Sequence, residues 1–101
     1  MILTVFRSRL RPGVDGAYQL VAREMSDLVR ASAGFVDEVH FESPSGERVT
    51  IVRFTDRPSH DAWAAHPRHR EAQRRGREEF YASYDITVAD VTYERHFGPP
   101  L

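Results

Sequence analysis

The spacing of apolar positions changes period along the chain, and each change marks an element. Residues 2–10 are rich in Ile, Leu, Val, Phe and Thr and predict a strand, closed by the turn signal Arg11-Pro12-Gly13. Across 14–32 the apolar positions are Val14, Ala17, Tyr18, Val21, Met25, Leu28 and Val29, one stripe of a helix that Gly34 stops. Residues 35–43 alternate, with Phe35, Asp37, Val39 and Phe41 on one face and Val36, Glu38, His40 and Glu42 on the other. Pro44-Ser45-Gly46 turns the chain into a second arm over 47–55, where Val49, Ile51 and Arg53 oppose Thr50, Val52 and Phe54. Asp56-Arg57-Pro58 opens a short helix over 57–65, and Pro67 opens another over 67–82 with Ala72, Gln73, Gly76 and Phe80 inward. A last strand covers 84–97, before Gly98-Pro99-Pro100. Gly76 costs about 0.5–1 kcal/mol relative to Ala inside a helix, so its place on the inner stripe predicts a close approach to the sheet.

The order is βαββααβ, with no linker or repeat. It predicts one domain over residues 1–101 of the ferredoxin-like α+β class: an antiparallel sheet with its helices on one face. The other face must meet water or a partner. The strands are apolar on both faces, with Leu3 and Val5 opposing Ile2 and Phe6, so the second face is expected to be buried against a copy of the chain in a two-fold homodimer.

Composition narrows the chemistry. The 101 residues contain no Cys, which excludes disulfides, a thiolate nucleophile and Cys-ligated metal, and fits a cytoplasmic protein. There is no Lys, hence no Schiff base, and no Asn; all 14 basic residues are Arg, against 15 acidic ones. The net charge of −1 argues against a general nucleic-acid partner. The local run Arg68, Arg70, Arg74, Arg75, Arg77 is interleaved with Glu71, Glu78 and Glu79 at helical i,i+4 spacing, which reads as a self-compensated solvated face. No apolar run approaches the ~20 residues of a membrane span, and Met1-Ile2-Leu3 has no basic stretch before it, so neither a membrane partner nor a signal peptide is expected. No glycine-rich phosphate loop or His-Glu-x-x-His pattern occurs, so no cofactor or metal is expected.

Few residues are left to carry chemistry. Ser59, Trp63 and His66 share one side of the short helix at spacings of four and three, among small neighbours Ala62, Ala64 and Ala65. They read either as a pocket wall, with an indole to stack a flat ligand and an imidazole to move a proton, or as a core Trp beside a capping His. His66 and His69 have a ligand-like spacing, but Pro67 interrupts any common helix face. His40 and Arg53 lie near the middles of the hairpin arms and face either the helices or a partner sheet. Phe80 and Tyr84 sit where the last helix meets the last strand, as packing or as the mouth of a cleft.

Trp63-Ala64-Ala65-His66-Pro67-Arg68-His69, followed by Ala72-Gln73, Gly76-Arg77, Phe80-Tyr81 and Tyr84, resembles the antibiotic biosynthesis monooxygenase family. The likeness covers nearly the whole chain, from the Arg11-Pro12-Gly13 turn through Gly34-Phe35 and the hairpin. It implies ferredoxin-like subunits paired into a dimeric α/β barrel. In the family's best-known branch it implies oxygenation of aromatic, quinol-like or polyketide-type molecules without metal or flavin, O₂ being the co-substrate. An electron-rich substrate loses a proton there, and its anion passes an electron to O₂. Trp63 matches that branch's pocket tryptophan, and Ser59 stands where the branch has an Asn. In such a reaction Trp63 and His66 are the expected catalytic residues, Trp63 stacking the rings and His66 acting as base or oxyanion partner, and Ser59, His69, Tyr84, Arg53, His40 and Phe80 are the expected substrate contacts. A non-catalytic ligand-binding protein on the same fold is the alternative. The family's haem-degrading branch uses an Asn and an axial His that have no counterparts here: the chain has no Asn, and Ala72-Gln73-Arg74 stands at the axial position.

Overall fold

A computed structural model describes all 101 residues. Strand β1 (Ile2–Leu10) leads into helix α1 (Asp15–Arg30); strands β2 (Phe35–Glu42) and β3 (Arg48–Phe54) form the hairpin; helices α2 (Arg57–Ala64) and α3 (Pro67–Arg75) follow, and a π-helical turn (Gly76–Phe80) delivers the chain to strand β4 (Tyr81–Asp90). The sheet order is β2-β3-β1-β4 and every pairing is antiparallel. This is the ferredoxin-like α+β plan. The helices lie on one face only, and the molecule measures 39 × 32 × 20 Å, its short axis being one helix layer on one sheet.

The register assigns the faces. Ile2 opposes Phe54, Thr4 opposes Val52, Phe6 opposes Thr50 and Ser8 opposes Arg48, and this set faces the helices. Phe54 and Val29 are the most completely buried large side chains, and with Trp63 they form a core against which Met25, Leu28, Phe35 and Val52 pack. At the other end an aromatic group of Phe6, Tyr18, Phe80, Tyr81 and Tyr84 closes the layer, with ring centroids 5.3–5.9 Å apart. Leu3, Val5, Val49, Ile51, Val39 and Phe41 occupy the opposite face, which no element covers; Phe41 is 63% exposed there.

Three expectations are corrected. Phe35 and Asp37 do not share a face: a β-bulge sets both Phe35 and Val36 against Phe54 before Asp37 pairs with Arg53, so Phe35 turns into the core and Asp37 to the open face. The helix begun at Pro67 does not run to residue 82. It widens into the π turn at Gly76, where an added Cβ would overlap the Tyr81 ring, and β4 begins at Tyr81. The freed carbonyls are taken by Arg11, whose guanidinium donates to the carbonyls of Tyr81 (3.0 Å), Glu78 (2.6 Å) and Arg77 (2.9 Å) while its amide donates to that of Phe80 (2.7 Å). Finally, β4 stops at Asp90 rather than 97 because its partner runs out: Asp90 faces Ile2, and the Val91 amide donates to the Met1 carbonyl as the last bond of the ladder.

Candidate functional site

Local capping fixes the short helices that carry Trp63. Asp56, in extended conformation, accepts the Ser59 amide at 2.8 Å and starts α2, with Pro58 in the first turn. The chain breaks at His66, whose extended backbone and Pro67 start α3, and the Arg68 amide donates to His66 Nδ1 at 3.1 Å. That bond makes Nδ1 an acceptor and leaves the proton of the neutral ring on Nε2. His66 is therefore a capping residue, with its ring 5.6 Å from the indole.

His69 is held differently. Its ring stacks on the Trp63 indole at 4.4 Å and 14°, and its Nδ1–H donates to the Trp63 carbonyl at 3.1 Å. Nε2 is left with a free lone pair. Burial pushes the His69 pKa below its ordinary value; the bond to the Trp63 carbonyl works the other way, and the nearby His66 and His60 lower it further. The neutral, base-competent form is thus the resting state near neutral pH.

Trp63 is both core and wall. It is 9% exposed, with Val29 and Phe54 in its cluster, and it also lines a cleft of about 360 Å³ with Ser59, Ala62 and His66 on one side and Ser32 and Ala33 beyond the α1 end on the other. Gly34, at φ +77°, lets the chain pass so close to Ser59 that an added Cβ would overlap its Oγ and Cβ. Ser59, Trp63 and His66 thus line one cleft, and His69 adjoins it through its stack on the Trp63 ring.

The other expected contacts lie elsewhere. Phe80 is buried against Tyr18 at the far end of the helix layer, and Tyr84 packs on Phe6 there. Arg53 is on the open sheet face, paired with Asp37 and with Glu94 (2.8 Å) rather than with Glu38 or Glu42. His40 faces the helix side near the edge of the sheet. Sequence reasoning missed His60, three positions before Trp63 on the same side of α2. Its side chain is 15% exposed, edge-on to Phe54 at 6.0 Å, with Nδ1 2.8 Å from Asp61. The i−3 spacing from Trp63 was the available signal. No three of the chain's His, Asp or Glu residues converge as metal ligands.

Comparisons with known proteins agree with this fold. The protein YqjZ of Bacillus subtilis, itself described as uncharacterized, is 27% identical over 93 residues, covering 92% of this chain and 82% of its own. The structure of Rv0793 from Mycobacterium tuberculosis superposes with a TM-score of 0.83 at 22% identity, covering 94% of this chain and 98% of that one. SnoaB from Streptomyces nogalater, a cofactor-independent oxygenase, gives 0.78 at 15% identity, covering 92% and 94%. No helix is long and apolar enough to cross a membrane. The sequence model described as antibiotic biosynthesis monooxygenase matches residues 1–75, so with the ferredoxin-like topology and the Trp63 helix in place, the chain belongs to that family.

Proposed function

We propose that the protein is a cofactor-independent oxygenase of an electron-rich aromatic, quinol-like or polyketide-type small molecule, with His69 as the base. Family membership supports the monooxygenase-like class, and SnoaB supports the cofactor-free form of it. The observation that carries the assignment of the base is the Trp63–His69 pair: a desolvated imidazole, pinned through Nδ1 and stacked on the indole, keeps an unprotonated Nε2. His66 Nδ1 is engaged by the Arg68 amide, so His66 serves as cap and, through Nε2–H, as a donor to a developing oxyanion at the cleft. Ser59 supplies a second hydroxyl donor there.

For an anthrone-type CH₂ the reaction balances as CH₂ + O₂ → C=O + H₂O. The base takes one C–H proton, the carbanion gives an electron to O₂, the two radicals combine, and the peroxide loses water. The protein needs only to hold the ring system, take the proton and stabilise negative charge on oxygen.

The active form we propose is a homodimer closed over the open sheet face, in the cytoplasm. Folded chains of this mass expose about 5,800 Å², whereas this one exposes 7000 Å². The excess is of the order that each partner buries in a standard interface, about 800 Å². Light scattering should give twice the chain mass; a stable monomer refutes the dimer.

Oxygen uptake with a panel of anthrones and hydroquinones tests the reaction. Uptake should be lowered roughly 10²–10⁴-fold by His69→Gln and much less by His66→Ala. A second reading, a non-catalytic ligand-binding protein, is favoured by one observation: Trp63 is 9% exposed, with one face already covered by His69. Saturable quenching of Trp63 fluorescence by such ligands with no oxygen uptake supports that reading and overturns the oxygenase.

A further inference from the structure

A second constellation lies outside the Trp63 cleft. His40 and Thr50 are direct cross-strand partners in the β2–β3 hairpin, and Glu38, two residues before His40, projects from the same face. His40 Nε2 is 3.2 Å from Glu38 Oε1, and His40 Nδ1 is 2.9 Å from Thr50 Oγ1. The Glu38 carboxylate is itself fixed: its side chain is 8% exposed, the Ser26 hydroxyl of α1 donates to it at 2.7 Å, and Arg30 lies 3.7 Å away. Burial works against its ionisation, but the hydrogen bonds from His40 and Ser26 and the charge of Arg30 hold its pKa below the ordinary value.

These contacts decide the tautomer. An ionised carboxylate only accepts, so it takes the Nε2–H of His40. Nδ1 is then the lone pair, and the Thr50 hydroxyl donates to it. A buried carboxylate orients an imidazole whose other nitrogen holds the proton of a hydroxyl, which is the arrangement that activates an oxygen nucleophile. A plain cross-strand pair, worth about 0.2–1 kcal/mol to the sheet, needs neither the buried carboxylate nor its tether to α1. His40 is 51% exposed, so the pair is open to solvent on the helix side, away from the sheet face a partner would cover.

We propose that Glu38, His40 and Thr50 form an acyl-accepting centre for small activated carboxylic esters, with Thr50 Oγ1 as the nucleophile, His40 as its base and Glu38 as the positioning residue. Thr50 Oγ1 bonds to the ester carbonyl carbon as its proton passes to His40 Nδ1. The bond from that carbon to the leaving oxygen breaks, and the leaving group departs with the proton from His40. Water, deprotonated by His40, then cleaves the acyl-threonine to carboxylic acid and restores the hydroxyl. Strand β3 is paired on both edges, with β2 and β1, so its amides are engaged in the ladder and offer no oxyanion donors. The centre therefore has only what a positioned base supplies, roughly 10²–10⁴-fold over the unassisted hydroxyl, and its acyl-enzyme accumulates.

The probe is 4-nitrophenyl acetate with the intact protein, read by nitrophenolate release and by peptide mass mapping. One acetyl group should appear on the peptide containing Thr50 and be removed by hydroxylamine, as an ester is. His40→Ala should slow that acetylation by roughly 10²-fold, the low end of base assistance. Thr50→Val should abolish it, Thr50→Ser should restore it, and Glu38→Gln should slow it with the site of labelling unchanged. Far-UV circular dichroism checks that each variant is folded; if one is not, the wild-type map decides alone. Acetylation confined to other histidines or the N-terminus overturns the proposal, as does labelling of Thr50 at an unchanged rate in folded His40→Ala.

Discussion

Replacing Gly34 by Ala perturbs the point where the α1–β2 turn meets the cleft, and two separable costs follow. The backbone there is left-handed, φ +77°, and is held by the Thr55 amide donating to the Gly34 carbonyl at 2.8 Å. An L-residue in that region costs about 1–2 kcal/mol. The new Cβ would also overlap Ser59 Oγ and Cβ and lie 3.0 Å from Thr55 Oγ1. Ser59 Cβ is fixed to the first turn of α2, so rotating the hydroxyl does not relieve the overlap. Overpacking of this kind costs about 1–3 kcal/mol, for a sum of about 2–5 kcal/mol. In a domain of this size that lowers the melting temperature by roughly 10–30 °C. Urea unfolding at one fixed protein concentration measures it, since association shifts apparent stability. Ser59→Gly in the Gly34→Ala background should recover the packing part and leave the backbone part, while Ser59→Ala should recover less. Strict additivity of Gly34→Ala and Ser59→Gly, or a single-variant loss under about 0.5 kcal/mol, the range of ordinary surface substitutions, refutes the reasoning.

Other substitutions probe the remaining joints. Arg11→Met should destabilise the fold by about 1–3 kcal/mol, the scale of hydrogen bonds from a charged donor, with hydrogen exchange at residues 76–81 rising first if Arg11 caps the π turn. His66→Ala should cost about 0.5–2 kcal/mol, the worth of a helix cap, in thermal unfolding. His69 has a folded pKa below its unfolded value of about 6.5, so the unfolded chain binds its proton first. Stability should be flat above that pH and fall as pH drops from it toward the folded pKa, and His69→Gln should flatten this limb in pH-dependent melts.

Much of the fold was legible because periodicity and punctuation agree in most segments. Strand β1 has the expected bounds, and α1, β2, β3 and α2 fall within one or two residues of them. The misses share a cause, which is that the deciding partner is remote in sequence. Whether residues 91–97 extend β4 depends on how far β1 reaches past Ile2, and nothing in their own alternation reports that β1 ends there. The π turn depends on Gly76 accepting the Tyr81 ring and on Arg11 collecting carbonyls some 66–70 residues away. Arg11 read only as part of a turn signal, although its guanidinium closes the other end of the molecule. Within β2, one inserted residue at the bulge was enough to part Phe35 from Asp37, since a shift of one position exchanges the faces of a strand.

The site shows the same limit at the level of single atoms. Spacing placed Ser59, Trp63 and His66 on one side of α2, and they do line one cleft. It treated a core Trp and a pocket Trp as exclusive, yet a side chain as large as indole both packs with Val29 and Phe54 and lines the cleft. It offered His66, which shares a helix side with Trp63, as base or oxyanion partner, and His69 as a secondary candidate. What separates the two imidazoles is which nitrogen each has already committed, and that is set across the Pro67 break. The Arg68 amide occupies the Nδ1 lone pair of His66, whereas the Trp63 carbonyl takes the Nδ1 proton of His69. A donor at Nδ1 leaves a base at Nε2, and an acceptor at Nδ1 leaves an acid there. Two histidines three residues apart thus emerge with opposite proton assignments, and in the proposed reaction these become the oxyanion donor and the base.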